Sequence, residues 1–159
     1  KMATRAGGCR GLGRAGKVSS GAFDPMEEVC DLARAAGAWV NVDGAFGLWA
    51  EASEELRHLT KGMNKADSWS TDAHKTLNIS YDCGLIFCRD RHALLEALPT
   101  SASYLFASDK RDRMLYSLVL SRRARAMDVW AVLKYFGKPG VAGLGEPPCP
   151  RSRPFAESV

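Results

Sequence analysis

The spacing of apolar residues switches between helical and strand periods along the first half of the chain. In residues 26–35, Met26, Val29, Leu32 and Ala33 fall on one helical face, and Glu27, Glu28, Asp31 and Arg34 take the other. Asp24-Pro25-Met26-Glu27 supplies the start, with Asp24 as N-cap, Pro25 at the first helical position and Glu27 closing a capping box. Gly37 stands where a left-handed residue ends such a helix. Upstream, Val18 to Phe23 reads as a strand end and a loop feeding the helix. The period then becomes two. Val40 and Val42 point one way and Trp39, Asn41 and Asp43 the other, which predicts a strand over residues 39–43.

Gly44-Ala45-Phe46-Gly47 turns the chain, and residues 48–59 are expected to form one or two short helices with charged faces. A strand is predicted over 67–72. Residues 83–88, CGLIFC, are almost continuously apolar, as in a strand deep inside a sheet. Asp90 caps a predicted helix over 91–98 that stops at Pro99. Residues 100–120 are compatible with loop or strand. Residues 122–136 predict a helix, with Ala126, Val129, Trp130 and Leu133 at helical spacing. Helices alternating with strands define an α/β fold with a mostly parallel sheet flanked by helices.

Composition changes this picture mainly at the ends. Residues 1–16, KMATRAGGCRGLGRAG, hold almost no large apolar side chains and are expected to be disordered. From Gly137 onward glycine and proline are too frequent for a regular element, and residues 141–159 are expected to form an irregular tail. The partial domain is therefore placed at 17–140. The start on Lys1 suggests a piece of a longer protein.

The net charge of +4 raises the question of nucleic acid, but its distribution speaks against it. Residues 1–17 hold five basic and no acidic side chains, and residues 147–159 two basic and one acidic. The ends thus carry +6 and the body −2, whereas a groove tracking phosphates needs the excess on the folded part. No apolar run approaches the roughly 18 residues of a membrane span. Five cysteines without a CxxC pair suggest reduced thiols in a cytoplasmic protein. His58, His74 and His92 match no zinc spacing.

Chemistry concentrates in Ser68-Trp69-Ser70-Thr71-Asp72-Ala73-His74-Lys75 and at Asp43. Asp43 ends one predicted strand, and Lys75 follows the end of another. Ligands of open α/β sheets gather at the carboxyl ends of strands. A lysine amine there can form a Schiff base with a carbonyl, and a carboxylate opposite it suggests a pyridoxal phosphate site. Taken singly, Asp43 also suits a turn, Lys75 a solvated surface, His74 a satisfied buried histidine, and Arg122, Arg123 and Arg125 a solvated helix face.

The ordered segments GAFDPMEEVCDLARAAGAWVNVDGAFG, DSWSTDAHKTLN, YDCGLIFCRD and SRRARAMDVWAVLKYFG resemble the group II pyridoxal-phosphate-dependent amino acid decarboxylases. The resemblance runs from about Ala15 to Gly140. It implies the central part of the large domain of a fold type I enzyme, of the aspartate aminotransferase superfamily, here incomplete. It further implies pyridoxal 5'-phosphate as cofactor, held as a Schiff base by Lys75, with Asp43 facing the pyridine nitrogen. Ala45 would pack against the ring and His74 would lie near the phosphate. The implied activity is decarboxylation of a small-molecule L-amino acid by a homodimer. The chain departs from the family at Asp72, where many members carry Asn, and over Lys17, Val18 and Ser19, where members often carry Thr or Asn. The family's main phosphate-binding loop, its ring-stacking residue and its small domain have no counterpart here. Transamination or aldol cleavage on the same fold, and a truncated inactive homologue, remain open at this point.

Overall fold

A computed structural model describes residues 10–98, 113–117 and 121–145, together with Pro154 and Ser158. The expected disorder of residues 1–9, most of 100–120 and most of the expected irregular tail lie outside the described residues, but residues 141–145 of that tail are helical. Four strands form one sheet in sequence order: β1 (Arg10–Arg14), β2 (Trp39–Asp43), β3 (Ser68–Asp72) and β4 (Gly84–Cys88). β1, β2 and β3 run parallel, and β4 returns antiparallel to β3. Among the described residues three α-helices accompany them, α1 (Met26–Ala35), α2 (Arg91–Ala97) and α3 (Arg125–Gly145). This is the mostly parallel α/β arrangement that the alternating periods predicted.

β1 corrects the sequence reading. The first strand lies in the glycine-rich stretch expected to be disordered, not at residues 18–23, where the chain turns instead. A sequence poor in apolar side chains holds a strand here because its neighbours supply the packing. Arg10 to Arg14 pair in register with Trp39 to Asp43, and a Cβ at Gly13 would lie 2.3 Å from the Met26 sulfur. Met26, 1% exposed, fills the space that a side chain on β1 would have taken.

α1 begins without its expected side-chain cap. Asp24 turns back to β1: its Oδ2 accepts from the Arg14 N–H at 2.8 Å, and Oδ1 pairs with Lys17 Nζ at 2.6 Å. That lysine ammonium, with the Arg14 amide, holds the Asp24 carboxyl below the usual carboxylate range. Gly37 does take the left-handed conformation, with φ of 66°. Met26 and Cys30 are the buried residues of α1, with Val29 and Ala33 packed beside them, but Leu32 is exposed. Val40 and Val42 are buried as the alternation required, and they join Ala15, Met63 and Ala66 in the first core cluster.

Residues 48–65 form three 3₁₀ turns rather than α-helices. Lys65 reaches back to Asp31 at 2.8 Å and Glu27 at 3.2 Å, and Lys61 to Glu27 at 2.8 Å, tying these turns to α1.

β4 is an edge strand rather than a strand deep in the sheet. Ile86 and Phe87 are exposed, and among the described residues no further strand pairs with it. α2 matches expectation, and Asp90 caps it through the His92 and Ala93 amides. α3 starts three residues late and runs to Gly145, past its expected end at 136. Gly137 has non-helical backbone angles and joins two helical pieces, so the sequence located the break but not the resumption. Val129 and Val141, one from each piece, pack with Ala73, Leu77, Ile79 and Cys83 in a second core cluster. Trp130, expected on the packed face, is exposed.

Candidate active site

The parallel strands bring their carboxyl ends together. Arg14 lies in register with Asp43, and Asp43 with Ser70. The chain leaving each end is pinned by backbone hydrogen bonds. Ala15 N–H donates to Asp43 O at 2.8 Å, Gly44 N–H to Ser70 O at 2.8 Å, and Gly47 N–H to Ala15 O at 3.1 Å. A Cβ on Gly47 would stand 2.7 Å from the Ala15 carbonyl, so only glycine allows this approach. Ala45 N–H donates to Asp43 Oδ1 at 3.2 Å, which orients the carboxylate at the mouth of the turn.

A cavity of about 450 Å³ opens over these strand ends. Asp43, Ala45 and Lys75 line it together, with Arg14, Lys17 and the Ser19–Ser20 turn. Three of the four residues singled out from the sequence thus share one cavity. A larger cavity of about 770 Å³ lies among Leu48, Arg57, Met63, Trp69 and Phe87, and neither Asp43 nor Lys75 lines it. The amine and carboxylate singled out from the sequence meet in the smaller one.

The fourth residue, His74, does not line that cavity. Its Nδ1 meets the Cys83 backbone twice, 2.9 Å from the Cys83 N–H nitrogen and 3.1 Å from the Cys83 carbonyl oxygen. Nε2 faces Asp72 Oδ2 at 3.9 Å, and the Tyr81 ring stacks on the imidazole with centroids 4.0 Å apart. His74 therefore braces the loop that carries Lys75. The same loop is closed by Ala73 N–H donating to Cys83 O at 2.8 Å and is held from outside by the start of α3. Arg123 donates to the carbonyls of Ser80, Tyr81 and Asp82 at 2.8–3.2 Å, and Arg125 to the Asp82 carboxylate at 2.6 Å. The Arg125 guanidinium holds the Asp82 carboxyl below its ordinary range. Arg123 and Arg125, which read as part of a solvated face, are anchors.

Sequence reasoning missed two partners of Lys75. Its Nζ lies 2.8 Å from Asp72 Oδ2 and 3.9 Å from the centroid of the Phe46 ring. The i,i+3 spacing of Asp72 and Lys75 was a legible signal, whereas Phe46 is brought in by the turn after β2. Cys30, Cys83 and Cys88 are free, and burial pushes the Cys30 and Cys83 thiols up, away from the reactive thiolate. Among the described residues no helix is long and apolar enough to cross a membrane, and no group of three or more potential ligands could hold a metal ion.

An amine and a carboxylate thus line one cavity beside adjacent strand ends of a parallel sheet. The model of the pyridoxal-dependent decarboxylase conserved domain matches residues 12–146, and the chain belongs to that family. The match begins inside β1 and takes in the second piece of α3, extending the resemblance at both ends. Tyrosine/DOPA decarboxylase 5 of Papaver somniferum is 39% identical over 127 residues, which are 77% of this chain and 24% of that protein. The 4-hydroxyphenylacetaldehyde synthase of Rhodiola rosea is 35% identical over 126 residues, 79% of this chain and 26% of that protein. The crystal structure of Oryza sativa TDC with PLP and tryptamine superposes with a TM-score of 0.77 at 31% identity, covering 84% of this chain and 28% of that one. The chain thus spans about a quarter of the length of the curated relatives it matches.

Proposed function

We propose that this chain carries the cofactor-anchoring part of a pyridoxal-phosphate-dependent amino acid carboxy-lyase. The observation that carries the reading is the shared cavity of Asp43 and Lys75 at the ends of β2 and β3. Its donor set suits the cofactor: an amine for an aldehyde, a carboxylate for a pyridine nitrogen, and Arg14, Lys17 and seryl hydroxyls for a phosphate. Bound pyridoxal phosphate supplies an electron sink for the pair left on the substrate's α-carbon as CO₂ departs. Lys75 holds the cofactor covalently through Nζ. Asp43 keeps a proton on the pyridine nitrogen, and its own orientation is kept by the Ala45 amide. Ala45 presents only a methyl group and leaves room for a flat ring. His74 acts at one remove, by bracing the Lys75 loop. The substrate is a small molecule, an L-amino acid, and the working assembly is a cytoplasmic homodimer.

The Rhodiola rosea relative, named an aldehyde synthase, favours a second reading in which the same site leads to an aldehyde rather than an amine. Product analysis of the protein containing this chain separates the two. Amine and CO₂ in equal amounts support the carboxy-lyase, and aldehyde formation supports the second reading. Lys75→Ala is expected to abolish both the visible absorbance of bound cofactor and its fixation by borohydride. Asp43→Asn is expected to retain attachment while turnover falls by roughly 10²–10³-fold, the scale of removing one preorganised electrostatic partner. Normal turnover in Asp43→Asn would remove Asp43 from its role.

A further inference from the structure

Lys75 is held by two groups that neither its family membership nor its anchoring role requires. Asp72, the last residue of β3, places Oδ2 2.8 Å from Nζ, and the Phe46 ring presents its face to Nζ at 3.9 Å. Both partners are fixed independently of the lysine. Asp72 ends a strand paired to β4 opposite Gly84, and His74 Nε2 stands 3.9 Å from the same carboxylate oxygen. The Phe46 carbonyl accepts from Thr76 Oγ1 at 3.2 Å, and the next residue, Gly47, is bonded to Ala15. The other charged groups on the cavity are Asp43, Arg14 and Lys17. An anion and a π face on one nitrogen both attract an ammonium and lose that attraction when the nitrogen becomes neutral.

We propose that Asp72 and Phe46 form a cradle that holds the Lys75 ammonium whenever the lysine is not bonded to a carbonyl, and that Asp72 thereby restrains its attack. The proposal rests on the cofactor-anchoring reading above. Attack begins when the ammonium gives a proton to solvent. The nitrogen lone pair then adds to the aldehyde carbon, and the carbonyl oxygen leaves as water with the amine's two remaining hydrogens, forming the C=N bond. The Asp72 ion pair is lost at the first of these events. Asp72 is a positioning residue here, because it touches Lys75 and not the carbonyl.

The test measures the nucleophilicity of Lys75 without the cofactor. Purified chain is labelled briefly with acetic anhydride, and the rate at Lys75 is read by peptide mass spectrometry relative to exposed Lys134. In Asp72→Asn the ratio is expected to rise roughly three- to tenfold, the range for a partly screened contact pair. Phe46→Leu is expected to raise it less. In the wild-type protein, added potassium chloride is expected to accelerate Lys75 and not Lys134, a dependence absent from Asp72→Asn. A loosened fold would not produce that salt dependence. An unchanged ratio in Asp72→Asn, or a wild-type ratio insensitive to salt, overturns the cradle. Pyridoxal phosphate followed by borohydride, in parallel, judges the other reading: failure to fix it on Lys75 overturns the anchoring role and leaves the labelling ratio to decide the cradle.

Discussion

The two halves of the candidate site are built differently. Asp43 sits on a central strand, with parallel ladders on both sides and a core of Met26, Cys30, Val40 and Val42 beneath it. Lys75 sits on a loop whose backbone is held by a histidine, by two arginines more than 40 residues away and by a second core cluster shared with α3. The carboxylate is thus placed by regular hydrogen bonding and the amine by side chains. A ladder distributes a perturbation over many bonds, whereas a loop anchored at a few points moves when one anchor is lost. This difference suits the two proposed tasks: a carboxylate set against a ring nitrogen needs a fixed position, and a lysine that forms a Schiff base needs room to move.

Three substitutions test that contrast. The largest effect is expected from Met26→Ala, which opens a cavity against β1 and should cost about 2–5 kcal/mol in urea unfolding. Because the ladder side is cooperative, the whole transition should move; a change confined to α1 would contradict this.

A smaller effect is expected at Asp24, which ties β1 to the start of α1. Asp24→Asn should lose about 1 kcal/mol at neutral pH. Since the folded state holds the Asp24 carboxyl below its ordinary range, the contribution is present above that range and disappears as pH falls through the lowered pKa. Urea titrations at neutral and acid pH should therefore converge for wild type and variant. A difference that persists in acid would show that the carboxylate charge is not its source.

The smallest effect on global stability is expected from Arg125→Ala, since the Asp82 side chain is 64% exposed. The melting temperature should barely change, while amide exchange across residues 73–83 should quicken and exchange in β2 should not. Equal acceleration in both regions would mean that the two halves are one cooperative unit.

The strand at 39–43, the helix at 26–35 and the candidate pair Asp43 and Lys75 were legible in the sequence because each depends on a short local pattern. Alternation put Val40 and Val42 inside, and both are buried. Three features were not legible. Residues 10–14 become a strand only because β2 offers its edge and Met26 fills the face that Gly13 leaves open. Residues 84–88 read as a central strand, since apolarity records that both faces are to be covered but not where the partners come from; here they lie at an edge. Arg123 and Arg125 read as solvated until the 80–82 carbonyls are brought to them.

The sequence by itself therefore determined the α/β class, the positions of the amine and carboxylate along the chain, and the family to which they belong. Tertiary structure decided that Asp43 and Lys75 share one cavity, that His74 braces a loop instead of lining it, and that Asp72 and Phe46 hold the lysine. The physical reason is range. Secondary structure and residue chemistry are set within a few positions, while a cavity is a meeting of strand ends and turns that only sheet register and packing bring together.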